Sequence, residues 1–414
     1  MVIKLISVGF AGGQKVTEKI TNKITISLKK TALLKLLFYP AIAMFLPLST
    51  ASIAEAKSLS EQRTEYRAAI KADDKKRYVE FKRLKADLKD YPLYPYLDYR
   101  EFVRDLSAAS LSRVKRFEER YQDMPFTRTL RARYLTLLGK RRDWRAFLAY
   151  QKEPPRDETL RCYYFHAKAQ RGYRVEALKG AKEMYLTGKS VNRACDSLFS
   201  YLRKSGELTD ELVLKRALLA FESRNPGLIN YLSRQVSGEN QAMVQSALRL
   251  YKAPTRVEHF AQISKITVFH QDLVSLALIK LARKNPDEAV RQFANTMKGQ
   301  KVPESLRQEV GDYIAGRLMS TDDTSLRVWR DNVLNKSSDV KLLERRFRLA
   351  IAQGRFESAE RWIDQLPDAE VDNLKWRYWK AVSPKSVATI SRPINILKIF
   401  PDSEIFTASP HPST

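Results

Sequence analysis

Apolar residues recur at steps of three and four along most of this chain, with lysine, arginine, aspartate and glutamate between them, which is the spacing of one buried helix face. Tyr66, Ile70, Tyr78, Phe81, Leu84 and Leu88 make the first such stripe and predict an amphipathic helical hairpin. Val175, Leu178, Ala181 and Tyr185 make a second, Leu208, Leu212, Leu218 and Phe221 a third, and Phe356, Ala359, Trp362 and Leu366 a fourth. Convincing alternation at the two-residue period of a strand is absent. The pattern predicts an all-α domain over residues 57–381.

The breaks between stripes share one form: an apolar helix end, a glycine or an Asn-Pro step, then a fresh helix. They fall at Gln170-Arg171-Gly172-Tyr173, Ser223-Arg224-Asn225-Pro226-Gly227, Arg283-Lys284-Asn285-Pro286-Asp287 and Gln353-Gly354-Arg355-Phe356. Their spacing is too uneven for a strict 34-residue repeat, so the expected architecture is an irregular α-solenoid of stacked helix pairs. A solenoid offers an extended surface, which suits a polymer or a partner domain better than a small metabolite. Between Asp90 and Tyr99, four tyrosines surround Pro92 and Pro95. This predicts a rigid turn whose rings pack one helix on the next, with sugar stacking as the alternative use. Trp376 and Trp379 share a helical face and are expected to pack on the preceding helix.

The two ends of the chain read differently. Pro384, Pro393, Pro401, Pro410 and Pro412 punctuate residues 382–414, and with no apolar stripe there the segment is expected to be a poorly ordered tail outside the helical domain. At the other end, Lys29-Lys30 precede the apolar stretch Thr31 to Leu48, and Ala54-Glu55-Ala56 gives the small-x-small pattern of a signal peptidase site. Residues 1–56 therefore read as an export signal with a long n-region, cleaved after Ala56. Lys35 and two prolines interrupt a stretch barely long enough to span a bilayer, so no stable membrane span is expected.

The formal net charge is +27, and since residues 1–56 hold seven lysines against two glutamates, +22 remains in the mature part. Such a field attracts polyanions whatever the fold. Export argues against nucleic acid and leaves an anionic cell-wall polymer or a lipid surface. Cys162 and Cys195 show no metal-ligand spacing, and in an oxidising compartment one disulfide is expected, two separate buried thiols being the alternative.

Catalytic chemistry is harder to find. The adjacent carboxylates Asp73-Asp74, Glu118-Glu119 and Asp322-Asp323 lie among lysines and arginines, and are expected on solvated faces where nothing would raise a pKa. His166, His259, His270 and His411 form no metal or triad spacing, and no phosphate-binding glycine loop occurs. The sequence thus assigns no catalytic, cofactor-binding or metal-binding residue.

Several of these stretches, in order, resemble the soluble lytic murein transglycosylases of the bacterial periplasm. They are Lys89 to Leu97, Arg142-Asp143-Trp144-Arg145, Ala181-Lys182-Glu183 with Leu186-Thr187-Gly188-Lys189-Ser190, Ala194-Cys195-Asp196, Leu343-Glu344-Arg345-Arg346 and Trp376-Arg377-Tyr378-Trp379. The resemblance implies a superhelical, U-shaped domain, a Cys162–Cys195 bridge, a periplasmic location, and peptidoglycan glycan strands as partner. In that family a lysozyme-like domain cleaves the glycan with a single glutamate in a Glu-Ser motif, followed by Gly-Leu-Met-Gln and Ala-Tyr-Asn-Ala-Gly segments. The last two do not occur here, and Glu222-Ser223 sits at a helix junction with the wrong spacing, so it reads as a chance echo. The expectation is a truncated transglycosylase without its catalytic domain and inactive alone; the alternative is a stand-alone helical module that binds anionic peptidoglycan or a partner protein.

Overall fold

A computed structural model describes residues 57–366, and they are built of α-helices with short turns and no strand. The proposed export segment, the Trp376–Trp379 motif and the proline-rich segment lie outside the described residues. Two compact units divide the chain: a first of residues 57–181 with 192–201, and a second of residues 182–191 with 202–366.

The first unit holds α1 (Leu59–Asp74), α2 (Tyr78–Ala86), α3 (Tyr94–Arg104), α4 (Leu111–Arg120), α5 (Phe126–Arg141), α6 (Trp144–Tyr150), α7 (Glu158–Gln170) and the start of α8 (Arg174–Tyr185), and it takes up the chain again at the start of α9 (Asp196–Lys204). Ser58 opens α1 with a capping box, its hydroxyl accepting from the Glu61 amide while Glu61 accepts from the Ser58 amide. The first stripe folds as expected except at Tyr78, which is 42% exposed. Ala69, Ala72, Phe81, Leu84, Leu88, Tyr91 and Leu97 form one apolar cluster that closes α1 on α2, with Tyr66, Ile70 and Tyr94 against it. The tyrosine-proline turn is absorbed in packing: Tyr91 lies 5.3 Å from Tyr66, and Tyr99 stacks on Phe126 at 4.6 Å. Cys162 on α7 and Cys195 in a short 3-10 turn are joined by a disulfide, their Cα atoms 4.9 Å apart.

The second unit is a run of helices packed mostly in pairs: α10 (Asp210–Glu222) with α11 (Pro226–Leu232), then α12 (Gly238–Lys252) and α13 (Val257–Ile263), α14 (Val268–Ala282) with α15 (Pro286–Gly299), α16 (Glu304–Arg317) with α17 (Thr324–Leu334), and α18 (Val340–Ala352) with α19 (Phe356–Asp364), α13 packing on α15 rather than on α12. Alternate members touch in turn, α10 on α12, α12 on α14 and α14 on α16. The hub is α14: twelve of its 15 residues are buried, as expected of a helix apolar all round rather than along one stripe. Its neighbours enclose most of it, leaving Val268 exposed and Gln271 and Lys280 half-buried.

Backbone chemistry sets the breaks. Gly172 and Gly354 take left-handed φ values of 84° and 67°, conformations that cost glycine least. At the Ser223–Gly227 break Arg224 takes that conformation instead, and Asn225 caps α11 by accepting from the Leu228 amide at 3.1 Å, with Pro226 at the first helical position. The Asn225 amide also donates to the Gly188 carbonyl at 3.4 Å and to Ser190 Oγ at 3.3 Å. The Leu186–Ser190 loop approaches so closely that a Cβ on Gly188 would lie 2.0 Å from the Leu219 carbonyl oxygen. Only glycine fits there, which gives that motif a physical reason.

Candidate functional site

The cleft of interest opens where the hub helix runs out. α14 carries Leu276, Ile279 and Lys280 in its last two turns and Arg283 follows it as the cap residue, so the helix end passes from apolar floor to cationic rim within eight residues. α10 brings Phe221 and Glu222, α12 brings Tyr251, α16 brings Tyr313, and the left-handed Arg224 closes the edge. The enclosed space is about 120 Å³, all of it within the second unit.

Tyrosine rings orient the cations. The Lys280 ammonium sits 3.7 Å from the centre of the Tyr251 ring, whose edge meets Phe221 at 5.2 Å. Arg283 donates from Nε to the Tyr313 hydroxyl at 3.1 Å. Among the described residues, no carboxylate lies within ion-pair distance of Lys280, Arg283 or Arg224. Burial pushes the Lys280 pKa down, and Arg283, Lys284 and Arg224 push it further because each repels the ammonium. Burial pushes the Glu222 carboxyl up, and Arg283 pulls it part of the way back. A half-buried carboxylate thus faces a surplus of positive charge. Such a site can hold an anion; as an acid–base centre it has no second carboxylate, histidine or nucleophile among its lining residues.

The Glu222-Ser223 pair, read from sequence as an echo at a helix junction, does end α10, with Ser223 as the residue after its last turn. What sequence missed is that Glu222 shares a cleft with residues about 30, 60 and 90 positions downstream. Two other clefts hold ion pairs of their own. One of about 620 Å³ is lined by Arg104, Ser107, Thr129, Arg133 and Thr136, and Arg104 is held by Asp73 at 3.0 Å. The other, of about 360 Å³, surrounds Asp331, which Arg346 grips from Nε at 2.8 Å and Nη2 at 2.9 Å. Burial works to raise the Asp331 pKa, but its arginine hydrogen bonds outweigh it and the net shift is downward.

Two of the adjacent carboxylates differ from expectation. Asp73, with a side chain only 9% exposed, is bracketed by Arg100 Nε at 2.5 Å and Arg104, while Glu118 turns inward to accept the Tyr150 hydroxyl and to face Arg131 at 3.7 Å. Each is one member of a helix-to-helix clamp, because its arginine partner arrives from another helix and repays its burial. Asp323 is solvated and caps α17, accepting from the Leu326 amide at 2.9 Å. Two of the histidines are structural: His166 meets Trp144 edge-on at 5.1 Å and His270 Nδ1 bonds the Lys265 carbonyl at 2.8 Å, while His259 is exposed and His411 lies outside the described residues. No group of three metal-ligating side chains occurs among the described residues, and none of the described helices is long and apolar enough to cross a membrane.

Comparison with known proteins shows what the chain is similar to. No family model matches the chain. Soluble lytic murein transglycosylase of Escherichia coli K12 is 35% identical over 335 residues, which is 81% of this chain and 52% of that protein. The Salmonella typhimurium LT2 protein of the same name is 35% identical over 330 residues, 80% of this chain and 51% of its own. Among solved structures, the 70 kDa soluble lytic transglycosylase of Escherichia coli superposes with a TM-score of 0.70 at 34% identity, covering 80% of this chain and 53% of that one. An inactive mutant of lytic transglycosylase Slt from Pseudomonas aeruginosa gives 0.70 at 28% identity, over 79% and 53%. The chain spans about half the length of the curated relatives it matches, and over that span its helical region is homologous to the soluble lytic murein transglycosylases.

Proposed function

We propose that the helical region of this protein holds murein strands, or positions them for a transglycosylase centre, and that the residues described here bind rather than cleave. The observation that carries the reading is the 35% identity to soluble lytic murein transglycosylases over 335 residues. The charge supports it, because a +22 mature chain is drawn to the carboxylates of murein peptides. We further propose export to the periplasm with cleavage after Ala56, supported by the Lys29–Ala56 pattern and the disulfide, with a domain over residues 57–381 and a separate segment after it.

Purified protein mixed with murein sacculi tests the binding. It is expected to pellet with them, less so as salt rises, and to release no anhydromuropeptides. Failure to pellet at low salt contradicts the binding reading. Release abolished by Glu222→Gln would make Glu222 the acid after all. Intact-mass analysis of periplasmic material should find a chain beginning Lys57-Ser58.

A further inference from the structure

We propose that the cleft between Glu222, Tyr251, Lys280, Arg283 and Tyr313 is a subsite for the terminal carboxylate of a short aliphatic peptide, of the kind murein carries on its glycan. The inference rests on the murein reading and adds to it a place and a ligand class.

Three features lead to it. The first is the uncompensated charge: Lys280 and Arg283 are half-buried, lie beside Arg224, and have no anionic partner among the described residues within ion-pair distance. Several cations elsewhere in the molecule are matched at this depth, as Lys85 is by Asp98 and Glu101, or Arg346 by Asp331. Cations at the end of α14 also complement its dipole, but an exposed position would serve that purpose as well and would avoid the burial that pushes Lys280 down. The second is aim. Tyr313 fixes the Arg283 guanidinium through Nε, leaving both Nη groups without a partner among the described residues, and two parallel N–H donors match the two oxygens of a carboxylate.

The third is size and lining. The cleft, of about 120 Å³, has room for a carboxylate with its α-carbon and a small side chain. Phe221, Leu276 and Ile279 give that side chain an apolar floor. Glu222, which lines the same cleft, accepts the N–H of the last peptide unit, so the cations read the charge and the carboxylate reads the amide.

Calorimetric titration of the mature protein with a disaccharide–tetrapeptide prepared from murein tests this. Three further arms use the same ligand with its terminal carboxylate amidated, the disaccharide without peptide, and inorganic phosphate. Wild type is expected to bind the free carboxylate at least about tenfold more tightly than the amide, the loss expected for a pair of charge-assisted hydrogen bonds. Lys280→Ala with Arg283→Gln should lose the same factor and become indifferent to amidation, while Lys298→Ala at an exposed position outside the cleft should bind as wild type does. The amidated ligand needs no altered protein, so a misfolded variant does not protect the idea. Equal binding of acid and amide, or equal binding of the bare disaccharide, overturns the subsite. So does phosphate competing as well as the peptide. If sacculi still pellet with wild type in that case, the murein reading stands without the subsite; if they do not, both fall.

Discussion

The two units handle buried charge in opposite ways. In the first, charged groups are matched across helices: Lys85 bonds Asp98 and Glu101, Asp73 takes Arg100 and Arg104, and Glu118 takes Tyr150 and Arg131. Burial works to lower the Lys85 pKa, yet its two carboxylates outweigh it and the net shift is upward. In the second unit burial wins at several groups. Lys280 is pushed down and Glu222 and Asp272 are pushed up, each toward its neutral form. Asp331, matched to Arg346, is the exception that keeps its charge. The difference teaches where to look for a ligand. A charge that the fold neutralises is structural, whereas one held half-buried without a partner is available to something else.

The largest effect expected from breaking this contrast is covalent. Only the first unit carries a disulfide, closing a loop of 33 residues, and Cys162→Ala with Cys195→Ala should cost roughly 3 to 4 kcal/mol on the chain-entropy account. Urea unfolding under non-reducing conditions should show the early loss confined to the first unit, read by proteolysis within residues 57–181. Next comes Lys85→Met, which leaves Asp98 and Glu101 facing each other across a vacated site. About 2 kcal/mol is expected, below the value for a fully buried pair because both carboxylates keep some solvent.

The second unit should respond with the opposite sign. Asp272 lies on the hub helix, 9% exposed, and its carboxyl is pushed up by burial with the Glu309 charge adding to it. The native state therefore holds this proton more tightly than the unfolded chain does, so the stability linked to it is present at low pH and is lost as pH rises through the native pKa. Asp272→Asn should stabilise at neutral pH by about 1 kcal/mol, with the advantage fading toward pH 4. Thermal melts across that range check it; a destabilised variant at neutral pH would show that Asp272 has a cationic partner. The smallest effect belongs to Lys284→Ala at an exposed position, expected within about 0.5 kcal/mol of wild type.

How much of this the sequence shows depends on distance along the chain. The helix pairs were legible because their stripes are local: Leu178, Ala181 and Tyr185 are buried as their spacing implies, and so are Ala359, Trp362 and Leu366, although Phe356 at the start of that last stripe is 38% exposed. Val175, placed in the same stripe, is 81% exposed, because it lies in the first turn of α8 where the buried face passes to Ala177 instead. The hub α14 shows no stripe at all, since a helix surrounded by others has no solvated side to reveal a period. The cleft was least legible. Glu222, Tyr251, Lys280 and Tyr313 stand on four alternate helices and meet only because those helices stack, so no motif could join them.

Hydrogen exchange followed by mass spectrometry, with and without the disaccharide–tetrapeptide, tests the contrast most directly. The account predicts new protection in peptides covering residues 219–226 and 276–286, with none across residues 57–181. Protection spread over the first unit, or absent from both segments while the ligand binds, would contradict it.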